Sequence, residues 1–333
     1  MLITRRSFLA SSALAAAGLA LPARRALARA DDDLLFEWKP VHDKVKAAFG
    51  FGGNAMLVMG KGACLLVDAK NAPFGKQLRR ESEAAGGQIL ALVNTHHHAD
   101  HTGGNHAFTK DIEVIAHDNA SPRIRQQTNR YLSQMKEGVK ELAEAKPKPA
   151  EKVKDDLKQF VGHMTEVKPA LFVPTATFST DRTLDVGGVK VVLKHFGKGH
   201  TDNDAVVHLP DLNILHTGDL LFHKVYPYVD PDGGGNTKSW QETLTKVLAL
   251  CDDKTKIVPG HGDLCTKQAL ADQIEYFDKM RDWVAKQIKA GKTRKEIVES
   301  NPEPYNTYNV PWIRPITLAG IHDELKAEMG EKK

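Results

Sequence analysis

Cysteine is scarce here: Cys64, Cys251 and Cys265 are the only three in 333 residues. Their spacing matches neither a zinc knuckle nor a CxxC redox motif, so they are read as buried thiols, with a Cys251–Cys265 disulfide left open for an oxidising compartment. Also lacking is a run long enough to cross a membrane. The Ala-rich stretch Phe8 to Leu21 is shorter and more weakly apolar than the ~20 residues a spanning helix needs, so stable membrane insertion is not expected. Surplus charge disappears once the N-terminus is set aside. The first thirty residues hold Arg5, Arg6, Arg24, Arg25 and Arg29 and no acid, and removing them takes the formal net charge from +4 to −1. A nearly neutral chain gives no footprint of a nucleic-acid partner. What is present, 41% hydrophobic residues, is enough for a sizeable core in one large domain or two small ones.

The thirty N-terminal residues read as an export leader. Thr4-Arg5-Arg6-Ser7-Phe8-Leu9 resembles the twin-arginine pattern and leads into the apolar run. Small residues at Ala26, Ala28 and Ala30 stand just before Asp31-Asp32-Asp33, which places cleavage near Ala28 or Ala30. The expectation is a leader over 1–30, handled by the twin-arginine export machinery, and a mature domain over 31–333 in a bacterial periplasm.

The densest chemistry lies in Thr95 to Asn105 (THHHADHTGGN), where His96, His98, Asp100 and His101 bring three imidazoles and a carboxylate into six positions. That is a metal-ligand pattern. The apolar run Ile89 to Val93 reads as a buried strand, which puts these residues on the loop leaving its C-terminal end. A short helix is expected over Thr102 to Phe108. Three later stretches repeat the arrangement of a Gly-flanked ligand after an apolar run: His200 in GKGHT, Asp219 in TGD and His261 in PGHG. Glycine allows the tight turns and close approach that such a site requires.

Around these motifs the chain alternates strands and helices. Asn54 to Met59 and Ala63 to Asp68 form a hairpin signal about Gly60-Lys61-Gly62. A helix is expected over Gly75 to Ala85 and a strand over Ile112 to Ala116. From about 120 to 168 the residues are charged and helix-favouring, broken by Pro147 and Pro149, which reads as a helical insertion: a lid, or a solvated hairpin packed on the sheet. Strands resume at Thr177 to Phe178, Leu184 to Val186, Val189 to Phe196, Ala205 to Leu209 and Leu212 to His216. A helix over Trp240 to Leu250, a strand over Lys256 to Val258 and a C-terminal helical region over about 264–333 follow. The fold class is mixed α/β, or α+β, with layered sheets.

HxHxDH, GKGHT, TGD and PGHG, in that order across roughly residues 54 to 263, resemble the metallo-β-lactamase superfamily. The resemblance implies an αββα sandwich with a metal site at the edge between two sheets. Carried onto this sequence, it implies that His96, His98 and His200 bind one metal, that Asp100, His101 and His261 bind a second, and that Asp219 bridges both. A three-His set leaves one tetrahedral position open, as in catalytic zinc sites. Two Zn2+ per chain fit best, and the bridging carboxylate also suits iron or manganese.

The implied activity is a dinuclear hydrolase in which a bridging hydroxide attacks the carbonyl of an ester, thioester, lactone or β-lactam, with Asp100 as a catalytic residue orienting it. Asp219 at the bridging position resembles glyoxalase II and the broader hydrolase branch, whereas the true β-lactamases carry Cys or Ser there, so at most weak or promiscuous β-lactamase activity is expected. The leader argues against a glutathione thioester, a substrate of the cell interior. The alternatives are a persulfide dioxygenase with a single iron, and a non-catalytic metal-binding module. Of the remaining candidates, His97 alternates away from its neighbours and is read as a non-ligand. His117 and His216 are read as hydrogen-bond partners of ligands, and His223, Tyr226 and Asp230 as either pocket lining or ordinary loop residues.

Overall fold

A computed structural model describes residues 34–108, 111–130 and 168–330. The leader over 1–30 and most of the insertion over 120–168 lie outside these residues; 120–130 are helical. Among the described residues two sheets carry the fold. The first orders β1 (Glu37–His42), β2 (Val45–Phe49), β3 (Ala55–Met59), β4 (Ala63–Val67), β5 (Gln88–Val93), β6 (Glu113–His117) and β7 (Ala176–Phe178). Its pairs are antiparallel as far as β4 and parallel from there on. In the second sheet β8 (Asp181–Val186), β9 (Val189–Lys194), β10 (Val206–Leu209) and β11 (Ile214–Phe222) are antiparallel, and β12 (Lys256–His261) runs parallel to β11.

Period-two alternation sorts the apolar side chains into layers. Met56 and Val58 of β3 point between the sheets, where they join Leu65, Val93, Leu193 and Val207. Ala55 and Leu57 point outward and pack with Leu66, Leu92 and Leu78 of α1 (Gly75–Gly86). The outer face of the second sheet is covered by α3 (Thr237–Leu248), α4 (Lys267–Lys289) and α5 (Arg314–Glu328), which contribute Trp240, Leu270, Phe277 and Leu318. The order helix, sheet, sheet, helix is the αββα sandwich that the motifs imply.

Several element bounds differ from the sequence expectation. The β1–β2 hairpin is additional, because Pro40 and exposed polar residues blur its alternation. β11 runs through Asp219 to Phe222 and is buried at every position, so no polar residue marks its end; β12 likewise continues to His261. In place of a helix over Thr102 to Phe108 there is one turn, α2 (Ala99–Thr102), and then a 3-10 turn over Gly103–Ala107, where two glycines lower helical propensity. All three cysteines are free, Cys64 buried and the other two partly so; the disulfide left open is not formed.

The two sheets meet at one edge. Asn54 donates its N–H to Gly260 O at 2.7 Å and its side-chain amide to Pro259 O and Gly262 O. Ala205 N–H reaches Thr95 O at 2.6 Å. These bonds draw the ends of β3, β5, β10 and β12 together, and the ligand-type residues gather there.

Candidate metal centre

His96, His98, Asp100 and His101 follow the C-terminal end of β5, His200 lies in the β9–β10 loop, Asp219 is in β11 and His261 ends β12. All seven converge. His96, His98, His200 and Asp219 form one group whose donor atoms lie within 4.8 Å of one another, and Asp100, His101 and His261 form a second. Asp219 faces both: Oδ2 is 3.7 Å from His96 Nε2, 3.6 Å from His200 Nε2 and 3.4 Å from His261 Nε2, and Oδ1 is 3.0 Å from His101 Nε2. Asp100 Oδ2 lies 3.2 Å from His261 Nε2 and 3.6 Å from His101 Nε2.

Four of the imidazoles are held through the nitrogen that faces away from the group. His98 Nε2 lies 2.9 Å from Asp230 Oδ2, His101 Nδ1 2.7 Å from Asp68 Oδ2, His200 Nδ1 2.8 Å from Tyr228 O and His96 Nδ1 3.1 Å from Thr95 Oγ1. Such partners fix tautomer and ring angle. His98 therefore presents Nδ1, which comes within 2.9 Å of His200 Nε2. Asp68 also accepts the Thr95 N–H and hydroxyl, each at 2.8 Å, so one carboxylate ties the start of the ligand loop to its end.

Asp219 depends on a local break in β11. Pairing with β12 shifts register between His216 and Phe222, and Gly218 sits there at φ 51°. A Cβ on Gly218 would stand 2.6 Å from the Thr95 side chain, so only glycine fits. Beyond it the strand is gripped by helices: Leu220 O accepts from Trp240 Nε1 at 3.0 Å and from Gln273 Nε2 at 2.7 Å, while Gln273 Oε1 accepts the Phe222 N–H. The Trp240 ring also packs 5.3 Å from that of His200.

The electrostatics call for a cation. Burial opposes ionisation of Asp219, yet His261, His101 and His96 hold its carboxyl well below the usual range. Burial would also raise Asp100, but His101 and His261 beside it hold it low. The same carboxylates work back on the imidazoles. Against desolvation, Asp219 and Asp100 hold His101 well above its ordinary value and push His261 up to about 9. On the other side, burial drives His96 far down and, helped by His98, takes His200 to about 4. His101 and His261 thus carry, as protons, the positive charge that these carboxylates require, while His96 and His200 stay neutral; a divalent cation would supply the same charge and take all four imidazoles as neutral donors. His96 Nε2, His101 Nε2 and Asp219 Oδ1 are buried without a hydrogen-bond partner of acceptable geometry, and all three face the centre of the group.

The remaining sequence candidates fall as follows. His97 lies between Asn203 Nδ2, 3.1 Å from its Nδ1, and Asp230, 3.6 Å from its Nε2. Two expectations need correction. His117 bonds no ligand; it stacks on His195 at 3.9 Å and reaches Ser179 O. His216 acts one step further out, accepting the Gly218 N–H. Tyr226 is buried with its hydroxyl on Tyr305 O, and His223 Nδ1 is 2.9 Å from Asp263 O. Asp230 is the orienting partner of His98. Sequence reasoning missed Asp68 as a site residue, although it too is a polar residue at the end of an apolar strand, and missed Thr95 and Tyr228, which carry no signal of their own.

The sequence model of the metallo-beta-lactamase superfamily matches residues 48–122 and 137–261, a span holding all seven residues. Metallo-beta-lactamase type 2 of Bacteroides fragilis is 32% identical over 91 residues, 27% of this chain and 36% of that protein. The chain thus spans little more than a third of the length of the first such relatives. The probable metallo-hydrolase YqjP of Bacillus subtilis (strain 168) is 26% identical over 256 residues, 72% of this chain and 76% of that one. In fold the chain is similar to a metallo-beta-lactamase from Pontibacter korlensis, with a TM-score of 0.54 at 19% identity over 73% of this chain and 99% of that chain. The DIM-1 metallo-beta-lactamase gives 0.54 at 17% identity, over 73% and 97%. Fold, motif order and matched span agree: the chain belongs to the metallo-beta-lactamase superfamily, whose members are generally metallo-hydrolases.

Proposed function

We propose that the protein is a hydrolase working with two metal ions, zinc by preference, on the carbonyl of an ester, thioester, lactone or β-lactam. The observation that carries this reading is the Asp219 carboxylate, which stands within 3.0 to 3.7 Å of imidazole nitrogens from both donor groups. His96, His98 and His200 would hold one ion, Asp100, His101 and His261 the other, and Asp219 both. The chemistry such ions supply is a water activated near neutral pH and a polarised carbonyl.

The chain's own residues prepare the site for that. Asp230, Asp68 and the Tyr228 carbonyl lock the ring angles before substrate arrives, which limits reorganisation during reaction. His96 and His200 are fully buried, whereas Asp100 and His261 are 31% and 28% exposed at the side chain and form the open side. Asp100, ionised beside His101 and His261, would accept a hydrogen bond from the attacking water. Kinship with metallo-beta-lactamases supports a lactam among the substrates, and a carboxylate at position 219 supports the ester and lactone classes. The arginine pair and apolar run of the first thirty residues support export to a periplasm.

Metal quantification on purified protein, followed by a panel of chromogenic esters, lactones and cephalosporins, tests the reading. Two zinc ions per chain and turnover of at least one substrate are expected, with both metal and turnover lost in Asp219→Ala and His98→Ala. One iron with oxygen consumption on a persulfide, stoichiometric metal without turnover, or wild-type activity in either variant would overturn it.

A further inference from the structure

Lys70 is fully buried, and no step above uses it. Its Nζ donates to Ala48 O and to Gly53 O, each at 2.7 Å, and stands 5.6 Å from the centre of the Phe36 ring. Desolvation pushes the ammonium down to about 7; Asp68 and Asp100 oppose that fall through space, without a hydrogen bond. The residue also sits at φ 65°, a conformation that favours glycine. A buried ammonium is costly to desolvate, and here that cost is offset by its bonds to two main-chain carbonyls.

What the ammonium reaches is the floor of His101. Gly53, whose carbonyl it holds, donates its N–H to Asp100 O at 3.1 Å. The Gly53 α-carbon lies so close over the His101 ring that a Cβ would be 2.0 Å from Cε1 and 2.1 Å from Nε2. In addition, Ala69 N–H bonds His101 O at 2.7 Å and Lys70 O accepts Gly104 N–H at 3.0 Å. Residues 69 and 70 therefore grip the α2 turn by main chain, while the Lys70 side chain grips the segment lying across it.

We propose that Lys70 is a positioning residue for the Asp100–His101 half of the metal centre: by pinning the Gly53 carbonyl it closes Gly53 onto the His101 ring and fixes the direction in which Nε2 faces Asp219. The proposal rests on the ligand assignment above. Its test is a chelator-competition titration of zinc with the full chain, reading the two equivalents separately. His101→Ala identifies the equivalent belonging to that half. Lys70→Met is expected to bind that equivalent about tenfold or more weakly, to bind the other as the wild type does, and to unfold in chelator no earlier than Leu78→Ala. Lys70→Gln, which keeps a donor for one carbonyl, loses less. Leu78→Ala, in the same apolar layer, unfolds earlier yet keeps both affinities. Wild-type affinities in Lys70→Met, or an equal loss of that equivalent in Leu78→Ala, overturn the proposal while leaving the ligand assignment standing. Both equivalents retained in His101→Ala overturn the two together. Should Lys70→Met not fold, Lys70→Gln carries the same outcomes against Leu78→Ala.

Discussion

His216 has both ring nitrogens committed inside the fold. Its Nε2–H donates to Asn54 O at 3.0 Å and its Nδ1 accepts the Gly218 N–H at 3.0 Å, a pattern only the neutral imidazole can make. Burial accordingly pushes its pKa from 6.5 down to about 4. The unfolded chain takes up this proton more readily than the folded one, so the stability held in His216 is complete above pH 6.5 and drains away as pH falls toward 4. A shift of that size corresponds to about 3 kcal/mol. Unfolding midpoints of the wild type and His216→Gln, measured in chelator between about pH 8 and about pH 4, are expected to converge toward acid; parallel curves would rule the residue out. At this scale the sequence points to donors better than to what steers them. His96, His98, Asp100, His101, His200, Asp219 and His261 stand out because an imidazole or carboxylate at a Gly-framed strand end is unusual. Asp230 and Lys70 act through contacts to residues 132 and 17 positions away, which no local pattern encodes.

β11 is the element on which the site turns. It is paired on both sides and capped in mid-course by Gln273 and Trp240, and its register with β12 shifts on either side of Gly218. Gly218→Ala has to fit a Cβ 2.6 Å from Thr95 in a left-handed conformation. The variant is expected to lose more than about 1 kcal/mol in denaturant unfolding and to bind metal more weakly at the same time. Wild-type values in both measurements would show that the break is incidental. The strands β3, β4, β5 and β9 were legible because short apolar runs ended at turn residues. β11 was legible only over its first three residues, Ile214 to His216, since its buried polar residues, Thr217 and Asp219, imitate a loop. The grip of α3 and α4 on its far end was invisible, because it is made by a glutamine and a tryptophan that sequence alone assigns to helix faces.

Across the whole molecule the proposed ligands divide by sheet. His96, His98, Asp100 and His101 follow a strand of the first, and His200, Asp219 and His261 belong to the second. An ion shared among them would join parts of the chain up to 165 positions apart. Removing metal is therefore expected to lower the unfolding temperature of the domain. Above the dissociation constant, each tenfold rise in free zinc should add about 1.4 kcal/mol per site, a slope that Asp219→Ala abolishes. A midpoint indifferent to zinc in the wild type would count against a shared site. With its cysteines free, the joint between the two sheets rests on packing and on hydrogen bonds such as Asn54 N–H to Gly260 O, with no covalent tie. A shared ion would then be a cross-link there that the surroundings can add or withdraw, so a protease is expected to cut the chain faster in chelator than in zinc.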